Sequence, residues 1–331
     1  MSRPTRWVQL PSIPDAEGFA GSFVGTSQHA LIVAGGANFA GKPPWAGGRK
    51  IWYDTVYVLE QPGGPWRVAG HLRQPRAYGV SVSTPEGVVC AGGGDERSNV
   101  AEVVQVSWSD GSLREHPLPP LPRPCAFGAG ALVGDTLYVV GGIETPNATT
   151  ALASAWSLDL AARHSGWKTL PPLPGPGRIL PVAAAGPEAF YVFSGASLHP
   201  DASGAAVRTY LRDAYAYTPG SGWRRLADLP RSAVAAPSPA PRGPDGRLYV
   251  ISGDDGTKLS LFGPHHPGFP RDVLAYDPAT DTWHAAGIAP FSRATTATAH
   301  WNHAWVVPNG ERIPGIRSPE VWAFHPDGEH R

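Results

Sequence analysis

Near its C-terminal end the chain reads Pro308-Asn309-Gly310-Glu311, and Arg317 follows six residues after the carboxylate. A glutamate can take up or release a proton, and an arginine beside it can hold an anionic group or a developing oxyanion. Pro314 and Gly315 stand between the two. Both side chains therefore sit on one short turn-shaped loop and could face the same cavity. A second carboxylate, Asp254, follows Gly253 as Glu311 follows Gly310. Arginines make a further set, because Arg76, Arg123, Arg178, Arg231 and Arg293 each stand within a few residues of a proline turn. Several guanidiniums converging on one opening would suit an anionic ligand, since Arg meets a carboxylate with two parallel hydrogen bonds. The same arginines could equally hold neighbouring segments together through backbone carbonyls, and both readings stay open at this level.

The elements that must position these residues are set by an internal repeat. Trp7, Trp66, Leu113, Trp167, Trp223 and Trp283 mark one phase at intervals of 47 to 60 residues. Between them an apolar run ending in glycine recurs: Leu31–Gly36, Val88–Gly93, Leu137–Gly142, Tyr191–Gly195, Leu248–Gly253 and Trp305–Gly310. A β-branched or aromatic run follows each of these, as in Thr55–Leu59 and Val321–Phe324. Leu-Pro pairs such as Leu118-Pro119 and Leu170-Pro171 stop the outer strands, because Pro cannot donate to a ladder. The spacing matches the roughly 50-residue kelch repeat. It predicts an all-β fold, a single six-bladed kelch-type β-propeller over residues 1–331, with no convincing amphipathic helix. The chain opens on an outer-strand signature, so strand 7–10 is expected to complete the last blade and remove the open sheet edges. In this fold the loops between second and third strands share a face with the channel mouth. Three are long: 37–53, 196–213 and 254–272. Asp254, Lys258, His265 and His266 lie on the third, and Lys42, Arg49 and Lys50 on the first.

Composition narrows the function classes. The 40 Gly and 37 Pro fit many short strands and tight turns, and 42% hydrophobic residues are ample for a packed core. With 27 residues of each charge the formal net charge is zero, which argues against nucleic acid or an anionic membrane as partner. Cys90 and Cys125 lie in apolar strand-like runs and read as buried thiols rather than a disulfide framework. Their placement also disfavours a copper oxidase of the kelch type, and the absence of Asp-box repeats disfavours a sialidase. The N-terminal stretch lacks an apolar export signal, so the chain is expected to be soluble and cytoplasmic.

Four segments carry a family resemblance: Gly18–Ser22 (GFAGS), Leu31–Gly36 (LIVAGG), Arg76–Ser81 (RAYGVS) and Asn309–Arg317 (NGERIPGIR). With them the chain resembles the N-acetylneuraminate epimerase family, the kelch-propeller sialic acid mutarotases. The resemblance spans essentially the whole chain, with the blade order circularly permuted relative to the usual family arrangement. It implies that Glu311 is the catalytic carboxylate and Arg317 the arginine needed beside it, with Arg76, Tyr78, Asn309 and Arg178 as substrate-binding candidates. It implies a small sugar acid as partner and no metal or cofactor, and typical relatives are periplasmic. Two other readings remain: a non-catalytic kelch propeller that binds a protein or glycan, and a mutarotase of a different sugar acid. The oligomeric state is left open.

Overall fold

Each apolar run that ends in glycine forms the second strand of an antiparallel blade, and six such blades make a propeller. The computed structural model describes residues 5–326 apart from Phe262; Met1–Pro4, where the stretch read for an export signal begins, lie outside the described residues. The first blade comprises Phe23–Ser27, Ala30–Ala34, Thr55–Leu59 and Arg67–His71, and the next three repeat this order. The sixth is built from Ala299–Trp301, Ala304–Pro308 and Val321–His325, with Arg6–Leu10 as its outer strand. That strand pairs antiparallel from Arg6↔His325 to Leu10↔Val321, so the two ends of the chain meet inside one sheet. Among the described residues the only helical pieces are three single 3-10 turns.

The fifth blade departs from the pattern, with three strands instead of four. Its innermost segment carries Pro237, Pro239 and Pro241, and alternating prolines remove the donors a ladder needs. Isolated bridges at Arg242↔Leu248 and Ser238↔Ala297 hold that segment in place instead.

Side chains alternate along each strand, so every blade sends one set of apolar groups to each neighbour. Ile32 packs with Val88 and Val104 of the second blade, whereas Leu31 and Val33 pack with Trp301 and Val306 of the sixth. The core is thus divided into clusters between blades, with the channel in the middle. The tryptophans that mark the phase add polar stitches across these seams. Trp66, Trp167 and Trp223 each donate their indole N–H at 2.8 Å to Pro11, Pro119 and Pro171, the carbonyls of the Leu-Pro turns in the preceding blades. Cys90 and Cys125 are buried free thiols inside this core.

At the mouth the blades are joined by a closed ring of backbone hydrogen bonds. Tyr78 N–H donates to Gly21 O, Phe127 to Tyr78, Leu180 to Phe127, Ala235 to Leu180, Thr295 to Ala235, and Gly21 to Thr295, at 2.6–2.9 Å. Each blade contributes one residue, and all six have left-handed φ, from 53° at Leu180 to 68° at Gly21. Only Gly adopts that region freely; for a β-branched residue such as Thr295 it is a clear outlier, maintained because the surrounding bonds over-determine it. Below the ring the channel narrows to about 60 Å³ between small residues such as Gly79, Gly128 and Ala236, room for about two waters.

Candidate functional site

Glu311 and Arg317 come together in the last loop of the ring. Glu311–Ile313 and Ile316–Arg317 form a small antiparallel hairpin turned by Pro314-Gly315, with Glu311 directly across from Arg317. Gly315 has φ 84°, the value the second central residue of a type II turn requires, and Pro at the first position presets the rest. Cross-strand partners share a face of the ladder, so the two charges point the same way. Arg317 Nη1 lies 2.8 Å from Glu311 Oε1. The contact is close but off the N–H axis, because that nitrogen has no aligned hydrogen-bond partner. The pair therefore sets charge against charge without occupying the carboxylate in a two-pronged fork.

Two other elements hold the pair. Glu311 exchanges backbone hydrogen bonds with Ala294, at 2.8 and 2.9 Å, which brings Thr295 Oγ1 to 3.4 Å from Glu311 Oε2. Arg317 is buried against the first blade's long loop: its Nε donates to Ala37 O at 3.3 Å, and its guanidinium lies 4.7 Å from the centre of the Phe39 ring. A Cβ on Gly315 would fall 2.6 Å from Pro44, so the loops of the first and sixth blades are in contact at this point.

Glu311 lines a cavity of about 260 Å³ between the long loops of blades four and five and the ring residues Leu180, Ala235 and Thr295. That is just below the roughly 300–1,000 Å³ usual for small-molecule sites. Asp254 lines it too, from the matching place in the neighbouring blade: Val234↔Asp254 and Ala294↔Glu311 are equivalent bridges. Tyr210 donates its hydroxyl to Asp254 Oδ2 at 2.6 Å. Burial, then the hydrogen bond to Asp254, push the Tyr210 phenol well above its ordinary range, so it stays protonated. Tyr210 and Arg208 come from the second strand of the hairpin Ala196–Pro200/Ala206–Tyr210, which occupies the loop of blade four.

Arg76 and Arg178 do not reach either mouth cavity. Arg178 is fully buried, with Nη1 and Nη2 on the two oxygens of Asp213 at 2.7 and 2.8 Å and Nη1 also donating to Ser194 O at 2.9 Å. Arg76 pairs with Glu102 at 3.0 Å and lies 5.2 Å from the centre of the Phe23 ring. Arg231 pairs with Asp272, and Arg293 with Glu320, in the same manner. In each case the acid stands at the start of the same blade's third strand, so these arginines tie the first strand to the third. For Arg76 and Arg178, the arginines expected to bind substrate, the structure commits donors to pairing inside a blade. Asn309 is also away from the cavity: it is wholly buried, and its side-chain nitrogen and oxygen have no partner. Its φ of 56° matches Gly35, Gly92 and Gly141 at the same point of other blades, a conformation Asn tolerates better than most residues. Tyr78 does line the mouth. It stacks on Phe127 with centroids 4.5 Å apart and, with Lys50 and Trp52, borders a second cavity of about 200 Å³.

Sequence reasoning passed over Thr295, Tyr210, Arg208 and Phe39. Thr295 was reachable by counting, since in three blades the ring residue stands two after the inner arginine: Arg76 to Tyr78, Arg178 to Leu180, Arg293 to Thr295. Tyr210 and Arg208 carry no such signal, because the loop hairpins of blades one, four and six differ in length and position and share no repeat phase.

The model of the N-acetylneuraminate epimerase family matches residues 3–114 and 118–262, and the chain belongs to that family. It is 31% identical to the N-acetylneuraminate epimerase of Pasteurella multocida over 61% of this chain and 57% of the relative. It is likewise 31% identical to that of Haemophilus influenzae strain 86-028NP, over 61% of this chain and 58% of the relative. The matches thus span less than three-fifths of these relatives' length. The solved structure of YjhT aligns with a TM-score of 0.67 at 14% identity, covering 93% of this chain and 94% of that one, a likeness of fold.

Proposed function

We propose, starting from membership of this family, that the chain is a mutarotase that interconverts the α and β anomers of N-acetylneuraminate at C2. The observation that carries the reading is Glu311 on the wall of a cavity of about 260 Å³, with the buried Arg317 guanidinium 2.8 Å behind its carboxylate. Anomer exchange needs a proton removed from the C2 hydroxyl while the bond from C2 to the ring oxygen breaks. The ring oxygen leaves with the electron pair and takes up a proton, a C2 ketone forms, and closure on its other face reverses every transfer. No proton is consumed overall.

In this scheme Glu311 is the base that accepts the hydroxyl proton and passes it to the leaving ring oxygen, and on closure it carries the proton back the other way. Its lack of a two-pronged partner supports that role, because a carboxylate gripped at both oxygens would have little capacity left to accept a proton. Arg317 stabilises the negative charge that develops on oxygen as the ring opens, from a site fixed in advance by Ala37 O and Phe39. Thr295 Oγ1 steadies the far carboxylate oxygen. The circular permutation belongs to the same proposal: the hydrogen-bonded ring treats all blades alike, which supports a fold indifferent to where the chain breaks.

NMR of N-acetylneuraminate freshly released as a single anomer tests the reading. The wild type is expected to speed the approach to the anomeric equilibrium. Glu311→Gln should lower that acceleration by a factor of about 10² to 10⁴, the usual worth of a general acid–base group. Full acceleration by the variant would remove Glu311 from the chemistry, and none by the wild type would leave a propeller that binds without turnover.

A further inference from the structure

Every charged partner in the inner ring of arginines is committed, which leaves open what holds the acid group of the sugar. Arg76, Arg178, Arg231 and Arg293 each pair with a carboxylate of their own blade, and Arg317 faces Glu311. Two cations on the wall of the Glu311 cavity are different. Arg208, on the hairpin of blade four, and Lys258, on the long loop of blade five, have no carboxylate at ion-pair distance among the described residues. Arg208 is close enough to interact with the Tyr210 hydroxyl, which keeps the guanidinium on the cavity side of its strand.

His266 lines the same cavity and is 93% buried, with 7% of its surface exposed. Its Nδ1 accepts the backbone N–H of Gly268 at 3.1 Å, and its ring meets Phe269 edge-on at 5.5 Å between centroids. With Nδ1 occupied as an acceptor, the ring of a neutral imidazole carries its proton on Nε2. The loop of blade five thus supplies a fixed N–H donor and a mobile cation, and the hairpin of blade four supplies a guanidinium. Glu311 stands on another wall with Thr295 beside it. An anion seated against these three donors would keep the neighbouring carbon of a sugar acid within the cavity that Glu311 lines.

We infer that Arg208, Lys258 and His266 form a clamp for the C1 carboxylate of the substrate, so that specificity for a sugar acid over a neutral sugar comes from the two long loops and not from the inner-strand arginines. The inference rests on the mutarotase reading and deepens it. Two flexible cations and one buried donor suit a small planar anion, since charge-assisted bonds are about twice as strong as neutral ones. Arg317 is then free of any duty to the carboxylate and serves the reacting oxygen alone.

The test compares N-acetylneuraminate with its C1 methyl ester, which has the same anomeric centre and no charge. Wild type, Arg208→Gln, Lys258→Gln and the double variant are assayed by NMR for anomer exchange over a range of sugar concentrations. Wild type should favour the acid over the ester in KM. Each single substitution should raise KM for the acid by about 10- to 100-fold, the worth of one lost charge-assisted bond, and erase that preference. Circular dichroism and thermal unfolding confirm that each variant is folded, and His266→Gln adds a third arm that keeps a side-chain N–H. Unchanged preference for the acid in the double variant overturns the clamp. So does an equal rise in KM for acid and ester, which would assign these residues to the sugar body. If wild type accelerates neither sugar, it is the mutarotase reading that has failed.

Discussion

Arg178→Ala separates a structural arginine from a substrate-binding one. The side chain is fully buried, holds both oxygens of Asp213 at 2.7 and 2.8 Å, and also satisfies Ser194 O. Truncation leaves an ionised Asp213 whose side chain keeps only 12% of its exposure, together with a buried carbonyl short of that donor. Breaking such a pair costs about 3–5 kcal/mol. The small contact of Asp213 with water puts the expected loss near the lower end, about 3 kcal/mol. With a urea slope of about 3 kcal/mol/M, the unfolding midpoint should fall by about 1 M at constant slope. Arg178→Met combined with Asp213→Leu should recover part of the loss, because the stranded charge goes with its partner. The assay is urea unfolding followed by tryptophan fluorescence, alongside anomer-exchange kinetics. A midpoint within about 0.2 M of wild type, together with a raised KM, would refute the reasoning and return Arg178 to the binding site.

Three further outcomes follow from the structure. Phe39→Ala removes the ring 4.7 Å from the Arg317 guanidinium; a cation–π contact is worth about 0.5–2 kcal/mol, so kcat should fall about 2- to 30-fold with little change in KM, and Phe39→Tyr should restore it. Burial pushes the Cys90 and Cys125 thiols up to about 12 from 9.0, so both should resist a thiol reagent at pH 8 in the native protein and react on unfolding. The sign of the linkage is set by the same shift: below pH 9 native and unfolded thiols are both protonated, and between pH 9 and 12 only the unfolded ones lose their protons. Native stability should therefore fall across that window by up to about 1.4 kcal/mol per pH unit for each thiol, which urea unfolding at stepped pH would read.

The repeat was legible because it rests on local rules. Strand 55–59 is found at the predicted residues, since β-branched and aromatic alternation decides a strand without reference to distant contacts. Five of the six second strands end two residues earlier than the apolar runs suggest, because the last two residues of each run adopt left-handed φ and leave the ladder; in the third blade the strand runs on through Gly141 and Gly142 to Ile143. Pro237, Pro239 and Pro241 likewise announce that the inner segment of blade five cannot be a regular strand. The arginines were ambiguous for a different reason: the acids that claim them, Glu102, Asp213, Asp272 and Glu320, lie 26 to 41 residues away, and pairing over that distance depends on how the blade folds back on itself.

Glu311 and Arg317 mark the boundary between the two kinds of information. Their spacing and the Pro314-Gly315 turn are written in one short stretch, and local geometry suffices to put them opposite each other. What lies around them is not local. Ala37 and Phe39 reach Arg317 from the other end of the chain, because Arg6–Leu10 closes the ring and brings blade one against blade six. Tyr210, Asp254 and His266 come from two further blades. The sequence by itself determined the blades, their phase and the pairing of Glu311 with Arg317, since short-range propensity and turn chemistry decide each of these. The packing of blades four, five and six side by side decided which side chains share the cavity and which arginines are left free to meet an anion, and closure of the ring set blade one behind Arg317, because only in the folded chain do such distant residues become neighbours.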